Sequence, residues 1–161
     1  MIQKIDRQYD FSKLAKLLNK AFSTVAEEFG LTKENSPTNN AFITGEELKS
    51  QLTDNREFYV YKNDAGYTGF IAIEQSLNTP GTFYIEKLAV NPDYRHSGIG
   101  QHLMDFASDR IKELGGKRIS IGLIDSNTIL KKWYSKQGYA VFETKHFEHL
   151  PFDVCMMEKE I

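Results

Sequence analysis

Apolar residues fall at helical spacing in the first part of the chain. Phe11, Leu14, Ala15, Leu18, Phe22, Val25 and Phe29 share one stripe, which Gly30 ends. Residues 31–43 are polar and turn-rich, with Pro37 and the pair Asn39-Asn40, and predict a long ordered loop or a broken second helix. Thr44-Gly45-Glu46-Glu47 is a capping-box pattern, so a short helix through Leu52 follows. The period then changes to two. Glu57–Lys62, Tyr67–Gln75 and Thr82–Val90 read as strands joined by turns at Asn63-Asp64-Ala65-Gly66 and Asn78-Thr79-Pro80-Gly81, an antiparallel meander. Helical spacing returns with Ile99, Leu103, Phe106, Ala107, Ile111 and Leu114 and stops at Gly115-Gly116. Arg118–Ile124 is a further strand. A strand–helix–strand connection without a hairpin makes it parallel to Thr82–Val90. Asp125, Ser126 or Asn127 caps a helix that runs to Lys136, and strands near Tyr139–Phe147 and Phe152–Glu158 close the pattern. The predicted fold is α/β: one domain over residues 1–161, with a mixed, mostly antiparallel sheet of six to seven strands flanked by helices.

Composition narrows the function. The 161 residues are enough for one domain with a sizeable core. With 40% hydrophobic and 26% charged residues, the chain is neither disordered nor fibrous. A net charge of -2 without a basic stripe argues against a nucleic-acid partner. No apolar run reaches the ~18 residues of a membrane span, and no signal-peptide pattern opens the chain, so the expected setting is a reducing cytoplasm without a membrane partner. Cys155 is the only cysteine, which excludes a disulfide framework, and it reads as a small buried hydrophobe on a C-terminal strand. His146 and His149 flank Phe147-Glu148, a spacing unlike that of paired zinc-binding histidines. No metal is expected.

The chemistry concentrates in two segments. The first is FYIEKLAV-NPDY-RHSGIGQ, residues 83–101: a strand, a turn, a glycine loop and the start of a helix. Backbone N–H groups from His96 through Ser97, Gly98, Ile99, Gly100 and Gln101 can form a concave nest at a helix N-terminus, a site suited to an anion. Arg95 and His96 can add side-chain donors. A dinucleotide loop would carry a third glycine where Leu103 stands. The second segment is Asn127-Thr-Ile-Leu130-Lys-Lys-Trp133-Tyr134-Ser-Lys-Gln-Gly138-Tyr139.

Arg95, Gly98 and Gly100 fit Q/R-x-x-G-x-G/A, and Asn127, Tyr134, Gly138 and Tyr139 fit N-x-x-A-x-x-[LF]-Y-x-x-x-G-[FY], with Leu130 and Trp133 as packing departures. In this order the two segments resemble the coenzyme A loop and the following helix of the GNAT superfamily of N-acetyltransferases, over about residues 55–145. The resemblance implies acetyl-CoA as cosubstrate, with its pyrophosphate over residues 95–101. It implies a pantetheine arm beside the backbone of Leu88, Ala89 and Val90, with the Leu88 N–H on the thioester carbonyl. Asn127 would bond the pantetheine or cap its own helix; the two roles are compatible. Tyr134 resembles the family's general acid, and its plain alternative is a core tyrosine. Glu86 is the candidate to receive the acceptor amine's proton, its alternative a solvent-facing strand residue. Strand alternation puts Tyr84, Glu86, Leu88 and Val90 on one face and Ile85, Lys87 and Ala89 on the other. Glu27, Glu28, Phe29, Glu34 and Asn35 are candidates to shape an acceptor site. The implied reaction is acetyl transfer to the primary amine of a small cationic metabolite. A peptide or protein acceptor, or a non-catalytic CoA-binding module, is the alternative. Homodimers are common in this fold.

Overall fold

The computed structural model describes residues 1–161. Seven strands form one sheet in the order β1-β2-β3-β4-β5-β7-β6. The strands are β1 (Ile2–Lys4), β2 (Arg56–Asn63), β3 (Gly66–Gln75), β4 (Thr82–Val90), β5 (Arg118–Ile124), β6 (Ala140–Lys145) and β7 (Val154–Glu160). Only β4 and β5 are parallel; every other neighbour is antiparallel. The helices are α1 (Phe11–Glu28), α2 (Gly45–Ser50), α3 (Ile99–Glu113) and α4 (Thr128–Lys136).

The helices begin where side chains satisfy their first N–H groups. The Asp10 carboxylate accepts from Ser12 N (3.0 Å) and Lys13 N (3.3 Å), a cap worth about 1 kcal/mol. Thr44 and Glu47 form the expected reciprocal box at α2. Strand alternation then sorts the core into two layers. Phe58, Val60, Phe70 and Ala72 face α1 and meet Leu14 and Leu18. Tyr59, Ile71, Ile73, Phe83 and Ile85 face the opposite way, onto Leu103, Ala107 and Ile111 of α3. The central strand β3 is buried on both faces from Thr68 to Ile73.

Several details depart from the sequence pattern. The strand β1 is too short to carry a period, yet it pairs with β2 through Ile2–Tyr61 and Lys4–Tyr59. The final hairpin has a shorter first strand and a longer loop than expected. Residues 146–153 form a loop closed by His146 Nδ1 and Asp153 Oδ1 at 2.8 Å, and Pro151 cannot donate to a ladder. Leu114 is the α3 C-cap and is 41% exposed, outside the buried face. Residues 31–43 form a turn-rich loop ending in one 3₁₀ turn at Asn40–Phe42, laid against α1 by Asn19 Nδ2 donating to the carbonyls of Asn40 and Ile43, both at 3.0 Å.

The alternation expected for β4 does not hold. Phe70 pairs with Ala89 and Ala72 with Glu86, so Lys87 and Leu88 together oppose the single residue Ile71. This β-bulge puts Lys87 at φ 54°, and beyond it the faces exchange. Leu88 and Val90 pack with the α3 layer and Ala89 with the α1 layer. Glu86 and Leu88 therefore lie on opposite faces, because the extra residue breaks the period of two.

Candidate active site

The sheet parts at its one parallel junction. β4 and β5 pair only at Thr82–Arg118, Phe83–Ile119 and Tyr84–Ser120. From Ile121 onward β5 continues to pair with β7 but no longer with β4. The bulge at Lys87 and Leu88 falls in the part of β4 that β5 no longer pairs with. The gap holds a cavity of about 500 Å³ that reaches both layers: Phe22 and Val25 of α1 line one end, Leu130 and Tyr134 of α4 the other. Leu88 and Asn127 also line it, as do Glu86 and Lys87.

At the end of β4 the chain makes a short 3₁₀ turn, Pro92–Tyr94, capped by Asn91 Oδ1 accepting from Asp93 N at 3.0 Å. His96 (φ 63°) and Gly98 (φ 88°) then take left-handed conformations, with Ser97 between them donating its hydroxyl to the Tyr94 carbonyl. No side chain caps α3. Its first ladder bond is His102 N to Gly98 O at 3.0 Å, so the preceding N–H groups of Ile99, Gly100 and Gln101 have no place in the helix ladder. The helix dipole adds roughly half a positive charge at this point. Gly98 is required by its backbone; a side chain there costs about 1–2 kcal/mol. Gly100 is not. A Cβ on it would lie 3.6 Å from the Trp133 ring and 3.7 Å from Val90, ordinary contact distances.

The side chains around this loop are less uniform than the motif suggests. Arg95 does not turn its guanidinium into the nest. It donates to Thr24 Oγ1 (3.1 Å) and the Ala21 carbonyl (2.8 Å), pinning the loop to α1. His96 is exposed. Gln101 Nε2 donates to Asp105 Oδ1 (2.8 Å) and to Gln137 Oε1 (3.3 Å). Asn127 caps α4, its Oδ1 accepting from Leu130 N at 3.2 Å, while still lining the cavity.

Tyr134 is buried, its ring edge-on to Trp133 (5.1 Å) and Tyr139 (5.8 Å), and its hydroxyl makes no hydrogen bond within the protein. Burial pushes that hydroxyl well above the ordinary tyrosine range, so it keeps its proton near neutrality. Glu86 is 30% exposed and lies in a three-residue cluster. Arg56 Nη2 is 2.9 Å from Glu74 Oε2, and Arg56 Nε is 3.5 Å from Glu86 Oε2. Burial, followed by the hydrogen bond to Glu74, raises the Glu86 carboxyl to about 7, against the pull of Arg56. The Glu74 carboxyl is correspondingly lowered, first by its bond to Glu86.

Other expected positions are not brought together. Glu27, Glu28 and Glu34 are exposed and line no part of the cavity, and Asn35 closes a local turn with Thr32. The loop that meets the cavity is the expected one, but it contributes Ser36, Thr38, Asn39 and Asn40. Lys87, Glu74 and Arg56 were also not singled out. Period-two reading sends Lys87 to the wrong face, and only the bulge corrects it. Cys155 is buried and unpaired on β7. No group of three or more His, Cys, Asp or Glu side chains is placed to hold a metal ion, and no helix is long and apolar enough to cross a membrane.

A mixed sheet parted at its parallel pair, with a glycine loop and an uncapped helix at the mouth of the gap, is the architecture of acetyl-CoA-dependent N-acetyltransferases. Residues 14–139 match the Acetyltransferase (GNAT) family, and the chain belongs to that family. It is an acyltransferase whose cosubstrate is acetyl-CoA. It is 26% identical over 135 residues to an "Uncharacterized N-acetyltransferase in pepI 3'region" of Lactobacillus delbrueckii subsp. lactis, spanning 77% of each chain. Among solved structures, the ribosomal-protein-S18-alanine N-acetyltransferase of Escherichia coli superposes with a TM-score of 0.77 at 15% identity, over 100% of this chain and 93% of that one. The PaiA N-acetyltransferase of Thermoplasma acidophilum, in complex with coenzyme A, gives 0.75 at 20% identity, over 100% and 98%. At these identities the two structures speak for the fold alone. The seven-stranded mixed sheet agrees with the fold class expected from the sequence.

Proposed function

We propose that this chain transfers the acetyl group of acetyl-CoA directly to the primary amine of a small molecule, both substrates being bound together at the parted strands. The observation that carries the reading is one cavity at the parted strands lined both by Tyr134 and Asn127 and by Glu86 and Lys87. Backbone N–H groups of His96 to Gln101 hold the pyrophosphate. Arg95 contributes by fastening that loop to α1. The open side of β4 at Leu88, Ala89 and Val90 accompanies the pantetheine arm, with Asn127 across the gap. The Leu88 N–H donates to the thioester oxygen and strengthens its bond as charge develops there. An ammonium group arrives beside Glu86, which takes up its proton; the free amine attacks, Tyr134 protonates the thiolate as the C–S bond breaks, and the second proton lost from the nitrogen restores the Tyr134 hydroxyl through solvent. The unpaired thiol of Cys155 fits a reducing cytoplasm.

Initial rates measured over a grid of acetyl-CoA and amine concentrations test the scheme. Polyamines, amino acids, aminoglycosides and short peptides serve as acceptors. Intersecting double-reciprocal lines with at least one small amine are expected. Parallel lines would overturn direct transfer, and CoA binding without turnover on any amine would reduce the chain to a binding module.

The loop assignment has its own test. Gly100→Ala is expected to keep or raise the melting temperature, since its Cβ meets only ordinary contacts and alanine favours a helix by up to about 1 kcal/mol. Gly100→Glu sets a carboxylate among the free N–H groups and is expected to weaken CoA binding at least about tenfold, or 1.4 kcal/mol, read by calorimetry. A folded Gly100→Glu protein with unchanged CoA affinity would move the pyrophosphate elsewhere.

A further inference from the structure

Of the residues lining the cavity, only Glu86 and Lys87 carry a formal charge. In a regular strand, sequence neighbours point to opposite faces. Here the bulge brings both into one cavity, at the cost of a left-handed backbone at Lys87, which is uncommon for a side chain other than glycine, asparagine or aspartate. The ammonium of Lys87 is held in place: Nζ donates to Asn40 Oδ1 at 2.7 Å, and the Asn40 carbonyl is itself fastened by Asn19 at 3.0 Å. Asn40 is a neutral partner, and no carboxylate lies within salt-bridge distance of Lys87. Burial lowers its basicity, and a bound anion would restore it. Ser36 is a further polar residue of the same wall. It is 1% exposed, lines the same cavity, and its hydroxyl has no partner, while its own backbone is fixed by bonds to Thr32 and Asn39. Beside the loop residues Thr38 and Asn39, the wall on this side includes an apolar patch from Phe22, Val25 and Phe152.

We propose that the acceptor is a free α-amino acid with an apolar side chain, its ammonium beside Glu86, its carboxylate received by Lys87, and its side chain against Phe22, Val25 and Phe152. An ammonium and a carboxylate joined through one carbon match a carboxylate and an ammonium on adjacent residues of one bulge. A polycation would instead place its second charge against Lys87. This inference rests on the reading of the cavity as the acceptor side of an acetyl transfer.

The test compares L-leucine, L-methionine and L-phenylalanine with their amides, and with spermidine, as acceptors at saturating acetyl-CoA. At least one free amino acid is expected to exceed its amide by about tenfold or more in kcat/KM, the size of a charge-assisted contact. The amide's amine is the less basic and more easily deprotonated, so its own chemistry works against this preference. Lys87→Met is expected to shrink the ratio to within about threefold by raising the amino acid's KM, and Lys87→Arg to retain it. A CoA-dependent rise in melting temperature shows that each variant is folded. Amides or spermidine used as well as the amino acids, or a preference that survives Lys87→Met, overturns the zwitterion and leaves the transferase reading intact. No transfer to any of these amines, spermidine included, overturns the acceptor cavity itself.

Discussion

Tyr134→Phe is expected to lower the turnover number by about 10²–10⁴-fold, the usual contribution of a positioned general acid, and to leave the KM for acetyl-CoA within about threefold. The reason lies in what the substitution removes. The ring is packed between Trp133 and Tyr139, and phenylalanine keeps those edge-on contacts. The hydroxyl makes no hydrogen bond within the protein, so its loss leaves no orphaned partner. In the proposed mechanism it acts only as the thiolate forms, which would place the effect in the transition state and not in binding. Burial raises the hydroxyl's affinity for its proton, so at neutral pH the donor is fully loaded. Single-turnover measurements, in which chemistry limits the rate, check this. Wild-type turnover under those conditions would remove Tyr134 from the mechanism.

Glu86→Gln is the second large effect, and its signature is a pH profile. A carboxyl raised to about 7 is ionised, and able to take a proton, only above that value. In the wild type, kcat/KM for the amine is therefore expected to climb as pH rises through about 7. Glutamine keeps the size and one acceptor oxygen but cannot ionise. The variant is expected to lose that rising limb and about 10²-fold or more in kcat, as expected for loss of a positioned general base. Deprotonation of the free amine affects both proteins alike, so the ratio of the two profiles isolates Glu86. A raised amine KM with normal turnover would make Glu86 a residue that positions the ammonium. An unchanged profile would make the Glu86–Glu74–Arg56 cluster a structural feature of the α1 face.

Much of the architecture was legible because its signals are local. The stripe of α1 and the capping box of α2 depend on neighbours within a few positions, and so do the turns of the β2–β3–β4 meander. The parallel placement of β5 followed from connectivity alone. The strand β1 was not legible, since three residues display no period and its pairing with Tyr59 and Tyr61 is a long-range contact. The pattern overextends both strands of the final hairpin by two residues into the loop, because aromatic residues in the 146–153 loop continue the apparent strands.

The candidate site divides in the same way. The chain by itself determined the glycine loop, Gly98 with its left-handed backbone, the Asn127–Tyr134 helix, and the order that marks an acetyl-CoA-dependent transferase. Those features consist of backbone groups and spacings within one element. Which side chains share the cavity was decided only by tertiary structure. The bulge at Lys87 and Leu88 exists because β4 pairs with β3 in a shifted register, and that shift puts Lys87 beside Glu86. Arg95 turns to α1 because the carbonyl of Ala21 and the hydroxyl of Thr24 lie within its reach. Ser36 and Asn40 reach the cavity because Asn19 holds their loop against the helix. A side chain's direction depends on strand register and on contacts between residues far apart in the chain, and periodicity along the chain does not encode either.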